Sequence, residues 1–154
     1  GELRDLETIS TAITAAETGH LVLSTLHSGS AAQAIDRIID IFPEHQQGQV
    51  RIQLADVLRA IVTQRLLPRA DRPGRIPAIE LVKVNYAFSN LIRDKRTHQF
   101  QTQIQTGRNE GMIPFDVSLV DWVRRGAVDP EVALRAARDR RFVEAQLADH
   151  EVLR

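Results

Sequence analysis

Residues 21–26 read LVLSTL, a short, almost wholly apolar run ending in small polar residues. That is how a strand buried on both faces reads, as in a parallel sheet covered by helices. Working outward, Leu6, Ile9, Ile13 and Ala16 recur at the spacing of an amphipathic helix just before it. Asp5 is placed to cap the first turn of that helix, and Gly19 to take the left-handed stop after its last. A helix beginning near residue 5 needs a strand in front of it to complete a β-α-β unit, and that strand is expected to precede Gly1.

On the other side of the run, Ser30 with Gln33 forms a capping-box pattern. It opens a helix that presents Ile35, Ile38, Ile39 and Phe42 on one face and ends at Pro43. A third helix is expected from about Glu44 to Ala60, burying Val50, Leu54, Val57 and Leu58. IVTQRLLPRADRPGRIPAIELV, residues 61–82, reads strand, turn, strand, with DRPG as the turn. From Asn85 the texture turns helical, over Ala87–Arg93, about Thr97–Gln105, Phe115–Arg125 and Pro130–Arg141. Asp129 before Pro130 starts the last of these. Phe115, Leu119, Trp122 and Val123 form a packing stripe, so Trp122 reads as core. The expected fold class is α/β: half of a sheet over residues 1–84, then a helical subdomain over 85–154.

Composition narrows the function. The chain has 154 residues, 43% of them hydrophobic, enough for a core of one domain. With 20 basic against 20 acidic residues, it lacks the electrostatic footprint of a nucleic-acid or lipid binder. No apolar run approaches the roughly 20 residues of a membrane span. The absence of cysteine removes disulfides, cysteine-based zinc sites and thiol catalysis. His45, His98 and His150 show no metal-ligand spacing, so no metal site is expected among them. Arg135, Arg138, Arg140 and Arg141 read as a solvated basic face, with Asp139 and Glu131 at hand for pairing.

The candidate chemistry lies on one sheet edge. Ligands of open α/β sheets bind at the C-terminal ends of the strands. Glu2 falls at the end of the strand expected before the first helix, and Ser24, Thr25 and His27 at the end of the next. Glu2 and His27 are therefore expected to be neighbours, an acid to orient water beside an imidazole to polarise phosphate. His20 stands at the other end of that strand, about 23 Å from His27 at roughly 3.3 Å per residue, and reads as structural. Ser24 lacks the G-x-S-x-G elbow of a hydrolase nucleophile.

These residues carry a resemblance. GELRDLETI (residues 1–9), the stretch from Ala15 to Pro43 and QQGQVRIQLADVLRAIVTQRLLP (46–68) resemble the C-terminal half of a secretion-type ATPase core. GELRD resembles the end of a Walker B box, and GHLVLSTLH a His box. AFSNLIRDKRTHQ (87–99) is similar to the signature of the type IV pilus retraction ATPases, the PilT group, usually written AIRNLIRE. The resemblance implies a truncated RecA-like sheet half followed by an α-helical C-terminal subdomain. It implies a hexameric motor that hydrolyses ATP with Mg2+ to power pilus retraction and twitching motility. Such a motor would work in the bacterial cytoplasm, peripheral to the inner membrane, against the pilus platform. On that reading Glu2 activates the attacking water and His27 lies near the γ-phosphate. Arg4, Asp5 and Thr25 would belong to the nucleotide site or a subunit contact. Asn90, Leu91, Ile92, Arg93 and Asp94 would belong to the retraction signature, which couples rather than binds ATP.

The departures are informative. No G-x-x-x-x-G-K-[ST] occurs in the sequence, so the phosphate-cradling loop is absent and this chain is expected to be inactive alone, with no tightly bound cofactor. Phe88 and Ser89 stand where the signature has Ile and Arg, and Asp94 where it has Glu. Two other readings remain open: a segment of a type II secretion or pilus-assembly ATPase, or a non-catalytic oligomerisation module. The first of these commonly carries a tetracysteine zinc insertion, for which the cysteine-free chain has no ligands.

Overall fold

A computed structural model describes residues 1–151. The side chains of His150 and Glu151 and all of residues 152–154 lie outside that description. The first helix, α1, spans Leu6–Glu17. Asp5 caps it by accepting the Thr8 N–H at 2.8 Å, and Gly19 follows its end at φ 94°. That N–H holds the Asp5 carboxyl below its ordinary pKa of 3.8. A carboxyl lowered in the folded state stabilises it above the unfolded pKa and loses that effect as pH falls through the folded one. Asp5→Ala should therefore lower the melting temperature by a few degrees at neutral pH. The difference should close as pH drops below about 3.8, which a pH series of thermal melts would check.

Helix α2 spans Ala31–Asp40 and α3 Glu44–Val57. Ser30 accepts from the Gln33 N–H at 3.2 Å, but Gln33 Oε1 reaches the Gly29 N–H, one residue earlier than a reciprocal capping box requires. Strands β1 (Ala60–Pro68) and β2 (Arg75–Lys83) form an antiparallel hairpin, closed by a turn ending in Gly74 at φ 119°. The pairing sets Thr63 opposite Glu80 and Leu67 opposite Ile76 on the inner face. Then come α4 (Tyr86–Arg93), a 3₁₀ turn running into α5 (Phe100–Thr106), α6 (Phe115–Arg124), α7 (Pro130–Ala136) and α8 (Arg140–Glu151).

Two apolar cores hold these elements. The first joins Ile9 and Ile13 of α1, the isoleucines of α2, Val50 and Leu54 of α3, and Phe88, Ile92, Phe100 and Ile104. It therefore draws on both sides of position 84. The second joins Leu67, Ile76 and Ala78 of the hairpin to Phe115, Leu119 and the alanines of α7, with Trp122 packed against it. Trp122 Nε1 donates to the Pro77 carbonyl at 2.9 Å, satisfying its one polar atom.

Four expectations are corrected. Residues 21–26 are no buried strand: Leu21 is 82% and Leu23 80% exposed, and among the described residues the run pairs only through a parallel Glu2–Thr25 bridge. Leu6 points outward at 39% exposure. Val57 and Leu58 are half-buried, because α3 ends at Val57 and the chain turns there into β1. The expected helix over Pro130–Arg141 is broken after Ala136, because the Arg138 and Asp139 N–H groups both turn to the Asp116 carboxylate of α6.

Candidate functional site

Backbone pairing brings the two ends of the site together. The Leu3 N–H donates to the Thr25 carbonyl at 2.8 Å and the Thr25 N–H to the Gly1 carbonyl at 3.4 Å, while Ser24 Oγ also donates to Gly1 O. This parallel bridge sets Glu2 beside the residues that follow Thr25. His27 Nε2 lies 3.4 Å from Glu2 Oε1, so the neighbourhood argued from strand polarity is present. The imidazole is exposed and the Glu2 carboxylate largely covered, at 85% and 24% side-chain exposure.

Arg4 grips the other oxygen. Its Nε and Nη2 approach Glu2 Oε2 at 2.7 and 2.6 Å. These charge-assisted bonds hold the Glu2 carboxyl below the ordinary carboxylate range, with the charges of Arg4, His27 and Arg37 adding to them against some desolvation. Such a carboxylate is a weak proton acceptor at neutral pH. It is well suited to orienting a water molecule by accepting its hydrogen bond.

Arg37 of α2, which sequence reasoning missed, donates to the His27 carbonyl at 2.6 Å and steadies the loop from the helix it opens. His27, Ser28, Gln33, Asp36, Arg37 and Asp40 line an open, polar groove along α2. Asp5 faces its own helix as a cap, so its contact is local. His20 Nδ1 sits 3.2 Å from both Thr18 Oγ1 and the Ala15 carbonyl, tied to the end of α1. Among the described residues no group of three His, Cys, Asp or Glu is arranged to hold a metal ion. No helix there is long and apolar enough to cross a membrane.

Among the described residues, Asn90–Asp94 makes no hydrogen bond or ion pair to Glu2, Arg4 or His27. Ile92 is fully buried, and Leu91 and Arg93 are half-buried. The Arg93 guanidinium pairs with Asp56 of α3, against which α4 lies, and with Asn90 Oδ1 one turn back at 3.0 Å. Asp94 is exposed and faces Arg96 at 3.8 Å. Ser89, the unusual residue of the signature, donates to the Ala55 carbonyl at 2.9 Å and joins the same helix pair. The basic run near the C-terminus is also not simply solvated. Arg140 pairs with Glu144 at 2.7 Å, and Arg138 reaches into the structure to Glu80.

A parallel-bridged acid and imidazole at one edge, followed by this order of helices and hairpin, define a class. The chain belongs to the type II/IV secretion system protein family, whose profile matches residues 1–136. Within it, the chain is similar to a twitching motility protein of Neisseria gonorrhoeae, with 45% identity over 139 residues, 90% of this chain and 37% of that one. It is also similar to the type IV pilus retraction ATPase PilT of Pseudomonas aeruginosa, with 43% identity over 90% of this chain and 40% of the relative. A crystal structure of the pilus retraction motor PilT with bound ADP superposes with a TM-score of 0.82 at 43% identity, covering 94% of this chain and 40% of that one. The chain thus spans about two fifths of the length of these relatives.

Proposed function

We propose that this chain is the C-terminal part of the motor core of a pilus retraction ATPase. The whole motor would hydrolyse ATP as a hexamer and drive pilus retraction and twitching motility from the cytoplasmic face of the inner membrane. The observation that carries the reading is the Glu2–His27 contact across the parallel bridge, with Arg4 locking the acid in its ionised form. Similarity over nine tenths of the chain to retraction proteins supports retraction over assembly. The exposed apolar residues Leu21, Leu23, Val62 and Leu66 fit the reading too, because remaining strands of the motor's sheet would cover them.

In this mechanism Glu2 accepts a hydrogen bond from the attacking water and aligns it, while Arg4 keeps the carboxylate charged and fixed. His27, exposed at the edge, donates to the phosphoryl oxygen on which charge develops, and Arg37 holds its backbone. Mg2+ would neutralise charge on the β- and γ-phosphate oxygens. It is commonly held by phosphates, waters and one or two protein oxygens, so a dedicated cluster is not required of this chain.

Asn90–Asp94 is assigned to coupling between motor and filament or between subunits. Its polar side-chain contacts support this, since they run to α3 and its own segment and not to Glu2 or His27. The Arg93–Asp56 pair is half-exposed and worth about 0–1 kcal/mol, too little for stability to be its purpose. In the full-length motor, Arg93→Ala with Asp94→Ala should retain ATP turnover within about threefold and lose pilus retraction. Turnover and retraction measured separately decide it: normal retraction, or loss of nucleotide binding, would refute the assignment.

A further inference from the structure

We propose that Arg138 is a positioning residue that, through the buried carboxylate of Glu80, holds the loop carrying His27. Only the consequence for turnover rests on the catalytic reading of His27.

Glu80 is fully buried on the inner face of β2. A carboxylate there is tolerable only if its charge is paired and its oxygens are hydrogen-bonded. Three elements supply the partners. The Ala31 N–H, at the first residue of α2, donates to Oε1 at 2.9 Å, Gln101 of α5 donates to Oε2 at 3.1 Å, and Arg138 places one guanidinium nitrogen on Oε2. The other terminal nitrogen of Arg138 donates to the carbonyl of Gly29, two residues after His27, at 2.6 Å. The guanidinium lies over the Phe115 ring, 4.7 Å from its centroid. The Arg138 backbone is itself fixed, because its N–H and that of Asp139 donate to Asp116 at 2.9 and 2.8 Å.

The loop from His27 to Ser30 has few other anchors among the described residues. Its remaining polar ties run to Glu2, to α2 or within itself: His27 Nε2 to Glu2 Oε1 at 3.4 Å, Arg37 to His27 O, the Gly29 N–H to Gln33, and Ser28 Oγ to Ser30 O at 3.4 Å. The start of α2 rests on Glu80 as well. Loop and helix start are thus tied to the hairpin and to the segment after α7 by one carboxylate–guanidinium pair. Arginine suits this task because its planar fork bonds two acceptors in fixed relation, whereas a lysine ammonium on a flexible stem is a point charge. Stability alone is a weak reason for such a pair, since apolar replacement of a buried ion pair is often neutral.

Amide hydrogen exchange on this chain tests the proposal, with Arg138→Lys as the main variant and Arg138→Met as a second that preserves packing volume. Lysine can keep the charge beside Glu80 but cannot also hold Gly29. Peptides covering residues 27–34 should exchange at least about tenfold faster, with those of α1 and the hairpin unchanged within about twofold. In the full-length motor, Arg138→Lys should lower kcat about tenfold with KM for ATP within about twofold. Unchanged exchange at 27–34 in both variants, or equal acceleration along the whole chain, overturns the proposal. So does local loosening with normal kcat in a motor that His27→Ala inactivates. Local loosening in a motor that His27→Ala leaves fully active supports the positioning and refutes the catalytic reading of His27 instead.

Discussion

In the full-length motor, Glu2→Gln should leave ATP binding near its ordinary affinity and slow turnover by about a hundredfold or more. Glutamine keeps the shape of the side chain. It removes the charge that Arg4 stabilises at 2.6 Å and replaces one acceptor oxygen with a donor that repels a properly oriented water. Phosphate release with nucleotide binding measured alongside is the readout. Turnover within about threefold of the parent would remove Glu2 from the mechanism. The 154-residue chain alone is the control: its sequence holds no G-x-x-x-x-G-K-[ST], so it should release no phosphate above background. Release by the chain that vanishes with Glu2→Gln would show a complete phosphate site within these residues.

Phe88→Ala should destabilise the fold by about 3–5 kcal/mol. Phe88 has no exposed surface, and its ring centroid lies 4.2 Å from that of Phe100 in a tilted pair. It joins α4 to the core built on α1, α2 and α3, so the void left by alanine has walls from several elements and cannot collapse by moving one. Denaturant unfolding at constant m-value measures the loss, and a cost below about 1 kcal/mol would show that the site repacks. Arg93 and Asp94, on the same segment, should change stability little, because their pairs are exposed or half-exposed. One short signature therefore contains a structural anchor at Phe88 and Ile92 and a polar end available for coupling.

Much of the site was legible before any coordinates. Strand polarity put Glu2 and His27 on one edge, and they lie 3.4 Å apart. The resemblance implied for Arg4 only a place in the nucleotide site or a subunit contact; its grip on Glu2 is the main cause that holds the carboxyl below the ordinary range. Glu80 went unread, although a signal was there. Ile76, Ala78, Glu80 and Val82 alternate along β2 on one face, and a charge at a register position meant for the core calls for a buried partner. Arg138 could not be named as that partner from its surroundings, where four arginines in close succession look alike.

What the sequence by itself determined were features set by residues a few positions apart. Asp5, Ser30 and Asp129 cap their helices, Ile9 and Ile13 or Ile35 and Ile39 fall on buried stripes, and the DRPG turn closes the hairpin. Capping, periodicity and turn formation are short-range, so the relevant partners sit in the same window of sequence. Tertiary structure alone decided which charges are buried and with whom. Glu80 bonds Ala31, Arg138 bonds Glu80, and Arg138 bonds Gly29 across 49, 58 and 109 positions. It also decided that Leu21 and Leu23 face solvent although their composition reads as core. Burial of a strand depends on what packs on its faces and edges, and that is a property of the assembled elements, not of the run itself.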